Sequence, residues 1–492
     1  MSLNYLSKIV EMMGVVAEKF TVKKKVRRKF RIALVYPNVY KVAISNLGFR
    51  ILYHLLNLYE RAYCERFTSE SGRSLETGSS ISEFNLIMFT YQYEPDLFEI
   101  VRWVVRQNLS NRMKIVGGPC VYNPFPLKGL TDYVYVGEAE ASIIDFINEV
   151  IDEVGEDVLT TLKGVLDLEN MKYSGKGFPE PLDTFLPSLQ ASSKLSVFGD
   201  ALLVDVSRGC RWSCKFCFGR YVYSPYRERS IEQLTQVIEE GLKAGRYESL
   251  VLISADLNSY SRLNELIEYL RELQKRSYKF KVVAPSLRID NLNEELIEFL
   301  VESGEKTITL APESSEDLRY MIGKKFTDED LLKACTIFKR YGVKKIKLYF
   351  MFGLPGETMQ DLESIIGLVR EIMKMGFLVR VSANPFVPKP HTPFEDEEFG
   401  DVKELKERLR FLKKELKDAL STDGIRQAFL QSIIARGDEE IGKLVVECVK
   451  SGEPPTITQL KRNAERLGID LKEYAKHGSE AKPWKRLRTH YL

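Results

Sequence analysis

Apolar residues fall along this chain in two series of short continuous runs, separated by stretches with a helical period. The first series predicts strands at 31–36, 62–67, 85–90, 113–116 and 133–136, with helices at 46–58, 95–107 and 140–153 between them. Strands alternating with helices in this way imply a parallel, doubly wound sheet. The second series predicts strands at 201–207, 249–254, 280–285, 307–311, 345–352 and 378–383, joined by amphipathic helices at 231–244, 262–275, 328–341 and 360–375. Parallel strands with helical crossovers imply an open, TIM-like partial (β/α)6 barrel, whose working end lies at the C-termini of its strands. Between the two series, residues 160–200 carry Gly175, Gly177, Pro179, Pro181 and Pro187 and read as a linker too broken for a regular element. The remainder predicts helices at 402–420, 425–436, 438–451 and 457–467, with Glu and Lys alternating on their outer faces.

The fold class expected is therefore α/β. A short helix and basic arm (1–30) precede a doubly wound domain (31–158). A linker (159–200), a barrel (201–398) and a helical C-terminal region (399–492) follow.

Composition narrows the function classes more than it selects one. With 44% hydrophobic and 29% charged residues and a formal charge of +3, the chain reads as a soluble globular protein. That charge gives no case for nucleic acid or an acidic membrane as partner. The run Lys23-Lys-Lys-Val-Arg-Arg-Lys29 reads as a solvated arm rather than a polyanion contact. No apolar stretch reaches the roughly 18–20 residues of a membrane span. The N-terminus lacks the apolar core of a secretion signal. Seven cysteines, three of them clustered, fit a reducing cytoplasm better than a disulfide framework. Cys64, Cys120, Cys335 and Cys448 stand singly in apolar surroundings and are predicted to be buried.

The chemistry is concentrated in Cys210-Arg-Trp-Ser-Cys214-Lys-Phe-Cys217, just beyond the first barrel strand. Three thiolates at spacing CxxxCxxC can each take one iron of a [4Fe–4S] cube and leave the fourth iron open. A zinc knuckle would need a fourth Cys or His at fitting spacing. The nearest other cysteines, Cys120 and Cys335, are ~90 and ~118 residues away, and no histidine lies between Cys217 and His391. A redox CxxC pair would have no use for Cys210.

The CxxxCxxC pattern with an aromatic residue, Phe216, inside its last pair resembles the radical S-adenosylmethionine superfamily. The resemblance implies that the open iron chelates S-adenosylmethionine, that an electron from the cluster breaks the sulfonium bond, and that a 5′-deoxyadenosyl radical results. It also implies an electron donor such as ferredoxin or flavodoxin. Rim positions follow singly from the same resemblance. The family's Gly-Gly-Glu segment is replaced here by Ser254-Ala-Asp256-Leu-Asn258, so Ser254 or Asp256 would meet the methionine amino group. Ser286-Leu-Arg288-Ile-Asp290 resembles the segment at the ribose and carboxylate, where Arg288 would pair bidentately with the carboxylate. Glu313, in Ala311-Pro-Glu313-Ser314, would accept ribose hydroxyls. Gly353-Leu-Pro355-Gly356-Glu357 resembles the glycine-rich segment that passes the adenine. His391, in a proline-stiffened loop, is a candidate substrate contact, although a solitary loop histidine is more often packing.

The first series resembles the cobalamin-binding domain that precedes many such barrels. The strand ends that would face cobalamin carry Pro37, Asn38, Tyr91, Gly117, Gly118, Pro119, Gly137 and Glu138. The lower-ligand motif DxHxxG is absent, and His54, the only histidine in that stretch, falls on a predicted helix. The function implied is a radical enzyme acting on an unactivated C–H bond, with cobalamin for methyl transfer or C–C bond and ring formation. Two alternatives stand beside it. One is a methylthiotransferase-like enzyme modifying RNA or protein, which needs three further N-terminal cysteines where this chain has Cys64 and Cys120. The other is a non-catalytic iron–sulfur or corrinoid-binding sensor or scaffold.

Overall fold

The first apolar series forms strands β1 (Phe30–Tyr36), β2 (Ala62–Thr68), β3 (Leu86–Thr90), β4 (Met113–Gly117) and β5 (Tyr133–Tyr135), all pairing in parallel. This computed structural model describes residues 18–22, 29–245, 247–276, 278–285, 287–452 and 457–490. The helix expected near the start, the basic run apart from Lys29, and Ser286 lie outside the described residues. The five strands are the five that apolar patterning predicts. Helices α1 (Leu47–Leu58), α2 (Leu97–Arg106) and α3 (Ile143–Ile151) lie between or after them. Asn46 caps α1 by accepting from the Phe49 N–H, which satisfies one of the unpaired amides at a helix start.

The stretch expected to be irregular is in part a strand pair. Strands β6 (Val165–Asp167) and β7 (Lys172–Tyr173) add antiparallel to β5, giving the order β2-β1-β3-β4-β5-β6-β7. Three and two residues are too few to produce a readable alternation, so neighbouring glycines and prolines dominate the sequence pattern.

The second series forms β8 (Ala201–Asp205), then a two-residue ribbon of β9 (Ser207–Arg208) and β10 (Arg227–Glu228), then β11 (Ser249–Ile253), β12 (Lys281–Val283), β13 (Thr307–Glu313), β14 (Lys345–Phe352) and β15 (Leu378–Pro385). The strands β8 and β11 to β15 run in chain order around a partial barrel. Their ladder is continuous over β8, β11 and β12 and again over β13 to β15, and β16 (Leu420–Ser421) extends the second stretch. Outer helices α4 (Ile231–Gly245), α5 (Leu263–Lys275), α6 (Glu294–Glu302), α7 (Asp328–Arg340) and α8 (Met359–Lys374) cover it.

The C-terminal region carries α9 (Val402–Leu416), α10 (Ile425–Ala435), α11 (Glu439–Lys450), α12 (Ile457–Leu467) and α13 (Leu471–His477). Helix α9 ends four residues short of the expected 420. Lys417 takes φ +46°, outside helical space, and the chain turns into β16. Gly442 of α11 lies so close to Pro126 that a methyl there would meet its carbonyl oxygen at 2.4 Å. The tail therefore closes onto the first sheet as well as onto the barrel. Trp484 is fully buried and donates its ring N–H to Glu395, so it packs rather than binds. Cys64, Cys120, Cys335 and Cys448 are all buried, as predicted. Among the described residues no helix is long and apolar enough to cross a membrane.

The two strand systems share one apolar core, which runs from β1 and β3 through β8 to the helices of the tail. Polar contacts reinforce the join. Arg50 of α1 is buried and donates to the Ala201 carbonyl at 2.8 Å and to Gln190 at 3.1 Å. Burial pushes the His54 imidazole down to about 4, and its Nε2 accepts from the Ala191 N–H at 2.8 Å.

Candidate functional site

The cysteine loop is a hairpin closed at its feet by β9 and β10, where Arg208 pairs with Arg227 and Ser207 with Glu228. Just inside the ribbon, Gly209 has φ +83°, and a methyl on it would lie 2.8 Å from the carbonyls of Tyr223 and Pro225. Only glycine allows the strand to reach Cys210 so close to the returning chain. The hairpin rests on the turn after Glu316–Met321, with the Lys215 N–H donating to the Ile322 carbonyl at 2.9 Å. Arg220 donates to the Trp212 carbonyl at 2.7 Å. Phe216 joins the small apolar cluster of Ile322, Leu354, Phe386 and Phe394.

This places Cys210, Cys214 and Cys217 beyond the C-terminal end of β8, with Cys214 buried and the other two half-buried. Burial pushes the Cys210 and Cys217 thiols up, and the Cys214 thiol acts on both in the same direction. Among the described residues no group of three His, Cys, Asp or Glu converges on a point that one ion would fill. Three thiolates that each take a different corner of an iron–sulfur cube have no need to converge. The donor set fits the cluster.

Around the loop, the rim residues are strongly partnered. Ser254 bonds Ser207 at 2.8 Å and accepts from the Asp256 N–H. Asp256 is buried. Its Oδ2 accepts from the Trp212 ring N–H at 2.8 Å and from the Ser259 hydroxyl at 2.6 Å, while Oδ1 has no hydrogen-bond partner. A buried carboxylate oxygen left bare is costly unless something fills the place beside it. A cavity of about 420 Å³ opens next to this turn, lined by residues that include Trp212, Asn258 and Ser259.

Arg288 departs from its expected role. Its Nε and Nη2 close on Asp290 at 2.9 and 2.6 Å, its Nη1 donates to the Cys214 sulfur at 3.3 Å, and its guanidinium stacks 4.1 Å over the Trp212 ring. The bidentate partner is thus a carboxylate of the chain itself. Glu313 has φ +73° and pairs with Lys324 at 2.8 Å. Glu357 is buried and turns back to accept from the Gly353 N–H at 2.8 Å, with Arg408 of α9 at 3.2 Å. It therefore braces the loop through Gly353, Pro355 and Gly356 rather than facing outward, and burial pushes its carboxyl up to about 7.

His391 is buried at φ +64°. Its Nε2 lies 2.7 Å from the Tyr122 carbonyl and its N–H donates to Glu395. It stitches the loop after β15 to the first sheet and presents nothing at an open mouth. Beside it, Lys389 forms a buried ion pair with Glu94, which also accepts from the Tyr122 hydroxyl and, at 2.8 Å, from Gln431 of α10. Burial would raise the Glu94 carboxyl, but Lys389 and the hydrogen bonds hold it below its ordinary value. Sequence reasoning missed Glu94, Lys389 and the Trp212–Arg288–Asp290 stack. Only the Arg-x-Asp spacing was visible, and it says nothing of which groups the arginine meets.

At the strand ends expected to face a corrin, two of the glycines pack closely on the chain's own backbone. A methyl on Gly118 would lie 2.7 Å from the Tyr91 carbonyl oxygen, and one on Gly137 would lie 2.0 Å from that of Gly177. Gly117 approaches Tyr135, and Pro119 starts the short turn Pro119–Tyr122. Tyr91 is buried and donates to the Glu94 carbonyl at 2.9 Å. Pro37 is buried, and Asn38 donates to Asp96 at 3.1 Å. Glu138 is bound by Arg208 at 2.9 Å and by Arg227.

Comparison with known proteins matches residues 204–369 to the radical SAM superfamily and residues 48–171 to the N-terminal region of radical SAM proteins. An uncharacterized protein of Methanocaldococcus jannaschii is 34% identical over 84% of this chain and 90% of its own length. The ribosomal protein uS12 methylthiotransferase RimO of Thermotoga petrophila is 30% identical over 36% of this chain and 43% of its own. The solved radical S-adenosylmethionine methyltransferase TsrM of Kitasatospora setae, with cobalamin and a [4Fe-4S] cluster bound, superposes with a TM-score of 0.57. That match covers 75% of this chain and 77% of TsrM at 15% identity.

Proposed function

Because the chain belongs to the radical S-adenosylmethionine superfamily, we propose that Cys210, Cys214 and Cys217 hold its [4Fe–4S] cluster and that the barrel rim holds S-adenosylmethionine for attack on an unactivated C–H bond. The observation that carries this reading is the hairpin that brings three thiols to the C-terminal end of the first barrel strand. When bound, the reduced cluster and S-adenosylmethionine supply a 5′-deoxyadenosyl radical. The chain's own part is to place and shield. Asp256 offers its bare Oδ1 to the cosubstrate's ammonium group, Glu313 with Lys324 faces the ribose, and the loop braced by Glu357 lies along the adenine. The apolar cluster around Phe216 keeps water from the loop.

The cobalamin-dependent form of this reading draws on the likeness in fold to TsrM. That structure has cobalamin bound, and the corrin would lie across the strand ends that carry Asn38, Gly118 and Gly137. A methylthiotransferase reading has the sequence similarity to RimO in its favour. The two N-terminal cysteines available to a second cluster, Cys64 and Cys120, are both buried in apolar packing.

The test is anaerobic purification with iron and sulfide quantified, followed by reduction in the presence of S-adenosylmethionine. Iron near four per chain and release of 5′-deoxyadenosine are expected. Iron near eight would favour the methylthiotransferase, and a cluster without 5′-deoxyadenosine would make the protein a sensor.

A further inference from the structure

Arg288 stands where the expected cosubstrate contact should be, yet its donors serve other partners. Asp290 fixes Nε and Nη2 with two hydrogen bonds, and the Trp212 ring holds the guanidinium plane from one face. Trp212 is itself held by its N–H bond to the buried Asp256, which Ser259 fixes in turn. The side chains of Arg288 and Asp290 are each only 10% exposed. Four groups drawn from the ends of β8, β11 and β12 thus restrict an arginine so that Nη1 points at one atom, the Cys214 sulfur, at 3.3 Å.

We propose that Arg288 tunes the cluster by donating to the Cys214 thiolate, so that the chain, as well as the cosubstrate, sets how readily the centre accepts an electron. This rests on the assignment of Cys214 as a cluster ligand. On reduction the centre takes one electron from an external one-electron donor, its charge becomes more negative by one, and no protein bond forms or breaks. A fixed cation and an N–H···S bond both favour the more negative state, so they raise the reduction potential. Arginine suits the position better than lysine because its planar fork can be locked by a carboxylate and an aromatic face while one nitrogen stays aimed. Asp290 and Trp212 act through Arg288 and are positioning residues.

The experiment is a redox titration of the reconstituted protein followed by electron paramagnetic resonance, with S-adenosylmethionine affinity measured in parallel. Arg288→Gln is expected to keep its iron and to disfavour the reduced cluster by tenfold or more, a fall of about 59 mV for a one-electron couple. Arg288→Lys keeps the charge without the fork and is expected to fall less. An unchanged midpoint in Arg288→Gln, together with weakened S-adenosylmethionine binding, would overturn the proposal and return Arg288 to the cosubstrate carboxylate. Loss of the cluster from both variants, with the fold intact by circular dichroism, would overturn it too, leaving a structural brace of the loop. Failure of the unaltered protein to bind iron and sulfide would instead sink the assignment of the three cysteines.

Discussion

Glu94 and Lys389 lie 295 residues apart in the sequence and meet as a buried ion pair where the first sheet faces the loop after β15. Tyr122 and Gln431 complete the ring of donors around the carboxylate, so three parts of the chain close on one charge.

Removing one partner strands the other charge in the interior. Glu94→Gln or Lys389→Met should each destabilise the protein by about 3–5 kcal/mol. The double substitution should lose less than the sum, because it leaves no lone ion behind. Urea or thermal unfolding of the four proteins checks this.

Gly137 has φ +117°, and a methyl on it would meet the Gly177 carbonyl oxygen at 2.0 Å. Gly137→Ala should destabilise by ~3 kcal/mol through backbone strain and overlap together. Urea unfolding curves of the two proteins measure it.

The Glu357 carboxyl is raised from its ordinary 4.5 to about 7, chiefly by burial, with Asp361 adding to the rise and Gly353 and Arg408 opposing it. A folded-state value above the unfolded one means that the folded protein binds the proton more tightly. The stabilisation is complete below about pH 4.5 and fades as pH rises through about 7, an effect on the order of 3 kcal/mol. Glu357→Gln should flatten the dependence of stability on pH across that window. Denaturation midpoints from pH 5 to pH 8 for both proteins measure it.

Asp256→Asn can still accept from Trp212 and Ser259 through its amide oxygen, but it faces the cosubstrate without a negative charge. It should weaken S-adenosylmethionine binding by roughly 10- to 100-fold while the cluster content holds, the size of a hydrogen bond to a charged group. Equilibrium dialysis under anaerobic conditions, with iron quantified on the same samples, gives both numbers.

The sequence made the frame readable because buried parallel strands are written as continuous apolar runs. Ile32 to Val35 and Leu202 to Val204 are fully buried, and burial on both faces leaves no polar alternation to confuse the period. The strands β6, β7 and β16 escaped because they are short and stand beside the glycines, prolines and charged residues of loops, with no apolar run extending past them as at β5 and β12, and the early end of α9 depends on one backbone angle at Lys417. The cysteines were legible because their relation is local, three thiols within eight positions. The partners of Arg288, Glu94 and Glu138 were not, since each is chosen by tertiary approach. The same holds for Gly118 and Gly137. Glycine at a strand end announces that something comes close without saying whether it is a ligand or the chain's own backbone.

The feet of the cysteine hairpin, Arg208 and Arg227, share Glu138, which lies in the loop after β5 of the first sheet. A fragment beginning at Ala201 would keep every thiol and strand of the barrel, yet Arg227 would lose its acid and Arg208 would keep only Asp205 of its three carboxylate partners. The metal-binding loop is thus underwritten from outside its own barrel, and the two halves should be produced, and studied, as one piece.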